Sequence, residues 1–344
     1  MRRKYYIALL AALAVSIMIG STAFVLLRPY FQKNINFNIV KPPEVIEEPA
    51  EKVIPFPGWR DKDRQRALAV VIDNAAAARP QSGLELADVV IEMPVEGGMT
   101  RLLAIISGED LELLGPIRSA RSYFVDLAKE YKAILVHAGG SMDALDAIKT
   151  EKLNNLDEIN GGSNVATAFW RVTERAKPHN LYSSSDSLRK AAVNKQYNLT
   201  TPPTQLPYLL EGEESEGEIV SDITIFYPNR LSLIRYQFNK EKLYFERFMG
   251  EEPHMTAKNE QLKAANIIIQ FVSYQYLDGE GRLRLIMHGK GKALIFREGK
   301  FINGLWEKQP GQFTKYTDSK GKTLSFVEGP TWIEVVPNGT RIEY

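Results

Sequence analysis

Arg79–Gly108 reads RPQSGLELADVVIEMPVEGGMTRLLAIISG, with LGPIRSARSYF at Leu114–Phe124 and HAGGS at His137–Ser141. Asp88 to Val95, Leu102 to Ile106 and Ala133 to Val136 are apolar runs too short for helices, the pattern of strands buried on both faces. Glycines and charged residues collect where these runs stop. Gly97-Gly98 precedes Arg101, Gly115-Pro116 precedes Arg118 and Arg121, and Gly139-Gly140 follows His137. Open α/β sheets hold their ligands in the loops that leave such strand ends.

Ser119 or Ser122 is placed to cap a helix running through Tyr123, Phe124, Leu127 and Ala128. A second periodic segment, MDALDAI, follows Gly140 and Ser141. Arg118 and Arg121 therefore fall at a helix start, where unpaired N–H groups and partial positive charge suit a phosphate, sulfate or carboxylate. Guanidinium groups add bidentate hydrogen bonds that lysine does not offer. Anion binding is the simplest joint reading. The alternative is that Arg118 and Arg121 pair with Glu92, Glu96 or Asp126 and fix the loop. The candidate ligand-binding set is Arg79, Arg101, Arg118, Ser119, Arg121, His137, Gly140, Ser141, Arg171, His179 and Asn180, with Phe169-Trp170-Arg171 and Lys177 to Tyr182 forming a second polar and aromatic cluster.

The chain of 344 residues is long enough for two ordinary domains, and its formal net charge of +1 argues against general nucleic-acid binding. With no cysteine there is no disulfide, thiol nucleophile or thiolate metal site, and the four histidines lie far apart without HExxH spacing. No metal and no cofactor are expected.

The strongest single signal lies at the start. Arg2, Arg3 and Lys4 precede an almost wholly apolar run from Tyr5 to Leu27, long enough as a helix to cross a bilayer. The positive flank places the N-terminus inside and the remainder outside. Gly20-Ser21-Thr22-Ala23 offers a cleavage site, which would make the protein secreted, but the apolar run continues past it to Leu27 and favours an uncleaved anchor. The expected organisation is an anchor or signal segment at 1–31, a proline-rich linker at 32–66, an α/β domain at 67–200 with the arginine-rich site, an acidic linker at 201–218 and a mainly β domain at 219–344. In the last region SDITIFY, SLIRYQF, KLYFERF, ANIIIQFV and TWIEVVP read as strands, and Asp278 to Gly281 and Glu298-Gly299 as hairpin turns. A short helix is expected near Lys258 to Ala264. Exposed tyrosines and Trp306 offer a glycan or protein surface, although tryptophans in small β domains are more often core. The fold class is thus an α/β or α+β N-terminal domain and a mainly β C-terminal domain, preceded by one transmembrane helix.

RPQSGL, Ala87-Asp88-Val89, Glu96-Gly97-Gly98, Thr100-Arg101, GPIRSAR, His137 with Gly140-Ser141, and Pro178-His179-Asn180 together resemble the YerB-like lipoprotein family of Gram-positive bacteria. Asn266 to Gln270, Gly289 to Ala293, Trp306 and Thr331 to Pro337 extend the likeness to the C-terminal half. The resemblance implies a surface-anchored envelope protein with N- and C-terminal domains and no established activity. This chain departs from it in having no lipid-attachment cysteine.

The function expected is that of a membrane-anchored extracytoplasmic envelope protein that binds an anionic envelope lipid or polymer, or cell-wall proteins, and touches the cytoplasmic membrane through residues 5–27. A hydrolase or transferase acting on a phosphorylated lipid or wall polymer is the alternative. Asp88, Glu92, Glu96, His137 and His179 would then be the acid–base groups and Ser119 or Ser141 the nucleophile, although His137, following an apolar strand, reads as a hydrogen-bonded near-core residue rather than a base. No G-x-S-x-G elbow, Walker loop or triad spacing supports catalysis, so a binding role is favoured.

Overall fold

The apolar runs form strands as their composition requires, and the pleat sends alternate residues to opposite faces. In the N-terminal half β1 (Leu68–Asp73), β2 (Val89–Pro94) and β3 (Thr100–Ile106) are buried throughout, followed by β4 (Ile134–His137), β5 (Asn155–Asp157) and a small pair, β6 (Phe169–Arg171) and β7 (Leu181–Ser183). The helices are α1 (Ser122–Glu130), α2 (Met142–Thr150), α3 (Ser163–Ala166) and α4 (Ser185–Asn194). The computed structural model describes Phe56 and residues 64–108, 111–210, 215–227, 233–277 and 283–344.

The C-terminal half is nearly all strand. It comprises β8 (Glu218–Ile219), β9 (Asp222–Phe226), β10 (Leu233–Asn239), β11 (Tyr244–Met249), β12 (Glu252–Pro253) and β13 (Lys263–Ala264). Then come β14 (Asn266–Tyr276), β15 (Leu283–Ile286), β16 (Gly289–Arg297), β17 (Lys300–Lys308), β18 (Lys315–Asp318), β19 (Thr331–Pro337) and β20 (Arg341–Glu343).

Strands of both halves share one sheet, ordered β18-β17-β16-β14-β19-β2-β3-β1-β4-β5. The join is β19, which lies parallel to β14 on one side and to β2 on the other. Because β3 runs antiparallel to both β2 and β1, and β4 and β5 continue parallel to β1, six strands point the same way: β14, β19, β2, β1, β4 and β5. Their carboxyl ends form one edge of the molecule, and Arg101, at the start of β3, lies on that same edge.

One face of the sheet, with Ala69, Val71, Ile91, Leu103 and Ile105, packs against Tyr123, Phe124 and Leu127 of α1 and Ala144 and Ile148 of α2. The other, with Val70, Ile72, Val90, Leu102 and Ala104, packs against α4 and against a second sheet of β12-β11-β10-β9-β20 through Ile223, Ile225, Tyr236 and Phe245. Helices therefore cover one side and β-structure much of the other.

Lys258 to Ala264 is not a helix. Asn259 takes a left-handed φ of 62° in a turn, and burial then alternates at Leu262 and Ala264, so the segment enters β13 as a strand. Glu298 and Gly299, with φ of 48° and 66°, make the expected hairpin turn between β16 and β17, and Trp306 is core, donating its indole N–H to the Phe271 carbonyl at 2.7 Å. The Asp278 to Gly281 turn, the span at 5–27, and residues 32–55 and 57–63 of the linker lie outside the described residues. Among those described, no helix is long and apolar enough to cross a membrane.

Candidate anion-binding site

The loop from Gly115 to Arg121 is threaded between strand ends. The Asp73 amide donates to the Pro116 carbonyl, the Arg118 amide to Val71 and the Ala120 amide to Gly139, while the Arg118 carbonyl accepts from the Ala138 amide. These main-chain bonds set the arginines beside the ends of β1 and β4 and above the first turns of α1 and α2. Arg121 is itself the residue before α1, and no side chain caps that helix. The serines expected to cap it are used elsewhere. Ser119 donates to the Ala138 carbonyl at 2.8 Å. The Asp143 carboxyl, despite burial, is held below its ordinary pKa by the hydroxyls of Ser141 and Ser122 and by backbone amides.

Asp73, at the carboxyl end of β1, is the hub. One carboxylate oxygen, Oδ2, takes Arg118 Nε at 3.0 Å and His179 Nδ1 at 2.7 Å, while Oδ1 accepts from the Ala75 amide at 3.0 Å. Arg121 is paired bidentately with Glu96, at 2.5 and 2.8 Å. Burial alone would raise the Glu96 pKa, but Arg121, the Glu96 backbone amide and Arg101 together outweigh it and hold the carboxyl below its usual range. This is the pairing that the loop-fixing alternative named, whereas Arg118 uses Asp73 in place of Glu92, Glu96 or Asp126.

Arg101 is different. It sits opposite Asp73 in the β1–β3 ladder, is only 6% exposed, and donates to the Ser119 carbonyl at 2.8 Å. Among the described residues no carboxylate lies within ion-pair distance of it. Desolvation, then the neighbouring Arg121 and, more weakly, Arg118, push its pKa down to about 10 against the opposing influences of Tyr123 and Asp73.

The remaining expected residues divide. Arg79 is turned toward the Asn74 carbonyl, at 2.8 Å, and burial lowers its pKa. Arg171 donates to Asn180 Oδ1 at 3.1 Å and lies 3.6 Å from Glu158; Asn180 is buried and also donates to the Val172 carbonyl. Both belong to the β6–β7 hairpin, and their contacts are internal to it and its neighbour. His137 cannot face a ligand: it is fully buried, with Nδ1 at 2.8 Å from the Gly139 carbonyl and Nε2 at 3.3 Å from Asn155 Oδ1. It holds the Gly139-Gly140 turn in place. His179 does join the cluster, through Asp73.

A buried polar centre escaped the sequence reading. Glu92 and Glu334 are opposite one another in the β2–β19 ladder, and Arg247 of β11 reaches across from the second sheet to pair with both, at 2.5 and 2.8 Å. The guanidinium lies 4.1 Å from the Trp332 ring centroid and is bonded to the Tyr236 hydroxyl. Arg247 Nε donates to His254 Nδ1, His254 Nε2 meets Gln81 Oε1 at 2.9 Å, Gln81 donates to Asn74 Oδ1, and Asn74 donates to Glu92 Oε1, closing a ring of hydrogen bonds. Burial and the adjacent Arg247 and Arg79 hold His254 well below its ordinary pKa, so it is neutral. Gln81 also donates to the Asp73 carbonyl at 3.0 Å, which ties this centre to the surface cluster. The signal available in advance was a lone glutamate in each of two otherwise apolar strands, VVIEMP and TWIEVVP; buried carboxylates of that kind require a cation. Among the described residues no group of three or more His, Asp or Glu side chains is arranged to hold a metal ion.

What this architecture defines is a mixed α/β-sheet protein with few helices and a mainly β C-terminal region. Residues 57–198 match the family model described as "Protein of unknown function (DUF3048) N-terminal domain", and residues 223–333 match its C-terminal counterpart. The chain belongs to this family. It is 33% identical over 303 residues to the Bacillus subtilis (strain 168) protein named "Putative lipoprotein YerB", which spans 86% of this chain and 89% of that one. The crystal structure of the YerB protein from Bacillus subtilis is similar in fold, with a TM-score of 0.73 at 32% identity, covering 82% of this chain and 94% of that one.

Proposed function

We propose that this protein is an envelope binding protein, held at the outer face of the cytoplasmic membrane by residues 5–27, that grips an anionic group at Arg101, Arg118 and Arg121. The observation that carries the reading is Arg101, a buried guanidinium with two like-charged neighbours and no carboxylate at ion-pair distance among the described residues. An arriving phosphate or carboxylate would supply the missing charge, and the first turn of α1, which no side chain caps, would add N–H donors. Arg118 is well disposed to meet it, since it contacts Asp73 through Nε and its side chain is 24% exposed. The lipoprotein name of the relative agrees with membrane attachment. With no cysteine in the sequence, attachment here falls to the apolar span.

The test is calorimetric titration with inorganic phosphate, with vesicles carrying a prenyl phosphate, and with a soluble polyphosphate. Binding that weakens with salt and drops about 10- to 100-fold in Arg118→Gln supports the reading, at about 1.5–3 kcal/mol for a charge-assisted contact. A preference for vesicles over polyphosphate assigns a lipid, the reverse assigns a polymer, and no binding of any of the three overturns the proposal.

The Asp73–His179 pair favours a second reading, hydrolysis or transfer at the same ligand. Asp73 fixes Nδ1, leaving Nε2 to carry a proton. Phosphate release from a prenyl diphosphate that disappears in His179→Ala would establish it.

A further inference from the structure

The carboxyl edge of the sheet carries a second depression, away from the arginines. β19 ends at Pro337, while its parallel neighbour β14 continues to Tyr276, and among the described residues β14 beyond Val272 pairs only with β15. On the other flank β2 ends at Pro94 and turns through Val95 to Gly98. With β19 and β2 ending nearly level and β14 running on past them, a cleft of about 500 Å³ is left, floored by Pro337 to Arg341. Crevices of this kind, outside the carboxyl ends of parallel strands, are where sheet proteins take ligands.

Its lining is aromatic and nearly uncharged. Tyr274 and Tyr276 project from the same side of β14 with ring centroids 5.6 Å apart, and Tyr276 is 66% exposed. Phe226 also lines the cleft, and the Arg341 guanidinium lies over one face of its ring, 4.5 Å from the centroid. Among the described residues Arg341 is the one charged member of the lining, and its guanidinium is already paired with Glu343. The polar components are neutral: Asn338, Thr340 and the main chain at Gly97-Gly98. Both glycines have positive φ, 69° and 70°, and a Cβ placed on Gly97 would come no closer than 4.0 Å to a neighbour, so the backbone there is open to an approaching ligand.

Flat apolar rings beside neutral hydrogen-bonding groups match a pyranose, whose C–H face covers an aromatic ring while its hydroxyls meet amides. We infer that this cleft binds an uncharged carbohydrate chain, with Tyr274, Tyr276 and Phe226 as stacking surfaces and Asn338 and the Gly97-Gly98 backbone as hydroxyl partners. The inference is independent of the anion site. The two places share only the Glu96 to Gly98 turn, which gives Glu96 to Arg121 on one side and the glycine backbone to the cleft on the other.

Saturation-transfer NMR and calorimetry of the protein with the N-acetylglucosamine tetrasaccharide and with cellotetraose test it. A dissociation constant on the order of 1 mM for either sugar is expected. Tyr274→Ala combined with Tyr276→Ala should weaken it at least about tenfold, with the melting temperature little changed because both rings are solvent-exposed. Arg118→Gln should bind the sugar normally, so that failure of this inference and failure of the anion site are read separately. Absence of saccharide binding, or binding that survives the double substitution, overturns the inference. So does capture of an extended valine-rich peptide in place of both sugars, which would make the open edge of β14 a site for strand addition.

Discussion

Glu92 and Glu334 face each other across the β2–β19 ladder, with Arg247 between them as the shared cation. Like charges directly opposite in a ladder repel, and neither carboxylate has water to turn to. Burial and then Glu92 raise the Glu334 pKa from 4.5 to about 7 against the pull of Arg247. The Arg247 guanidinium, disfavoured by burial, is nonetheless raised above its ordinary value by Tyr236, Glu92 and Glu334 and stays charged. A carboxyl with a raised folded pKa binds protons more tightly in the native state than in the unfolded chain. Its contribution to stability therefore falls as pH rises from about 4.5 to about 7 and is level above that.

The first prediction isolates that titration. Glu334→Gln keeps the shape of the protonated acid and cannot ionise. Its unfolding free energy relative to wild type should improve as pH rises from 4.5 to 7, by up to about 3 kcal/mol. Urea denaturation of both proteins across that range measures the difference, in which other titrating groups largely cancel. A difference that does not vary with pH would mean that Glu334 is ionised throughout.

Removing the cation should be far more damaging than neutralising one acid. Arg247→Met leaves Glu92 and Glu334 buried without a counter-charge and is expected to lose about 3–5 kcal/mol. Adding Glu334→Gln to Arg247→Met should restore part of that loss. A double-mutant cycle by chemical denaturation reads the coupling directly, and additive losses would show that the pairing contributes nothing.

Much of the fold was legible because its strands are buried on both faces: LAVVID, VVIEMP and TRLLAII are apolar runs of strand length that no helix period fits. Periodicity carries no information on pairing, however. Nothing in TWIEVVP says that this late strand inserts between β14 and β2, and that insertion is what brings Glu334 to Glu92 and places Arg247 above them. The arginine loop was found from its turn residues and helix start, and Glu96 was among the partners named for Arg121. Asp73 was missed as a hub because it closes an apolar strand, where it reads as punctuation. His137 precedes a glycine pair, which draws it toward the site, but it lies on the buried side of the turn those glycines make, the hydrogen-bonded near-core position that its place after an apolar strand implies.

The Gly115 backbone should be intolerant of a side chain. Its φ is +148°, and a Cβ would stand 2.8 Å from the Leu181 carbonyl and 2.9 Å from the Tyr182 ring. Both obstacles belong to β7, which bridges to this loop through Leu114 and Ser183, so neither can move cheaply. Gly115→Ala should lower stability by about 1–3 kcal/mol and displace Arg118, three residues on. Thermal denaturation together with phosphate titration checks this. Unchanged stability would show that the loop relaxes freely.

Asp73→Asn offers the sharpest separation of a binding role from a scaffolding one. The amide oxygen can still accept from the Ala75 amide, and the NH2 that replaces Oδ2 can donate to His179 Nδ1 in its other tautomer, so both ties can survive in form. What disappears is the negative charge that Arg118 faces and that lies opposite Arg101 in the ladder. If the arginines exist to hold a ligand, the internal carboxylate competes with it, and its neutralisation should tighten inorganic phosphate about tenfold at low salt, or about 1.4 kcal/mol. If they exist only to brace the loop, the same change should cost about 1–3 kcal/mol of stability, as expected for a lost charged pair, with no gain in phosphate affinity. Calorimetric titration and urea denaturation of the one variant distinguish the two, because the competing roles move different measurements.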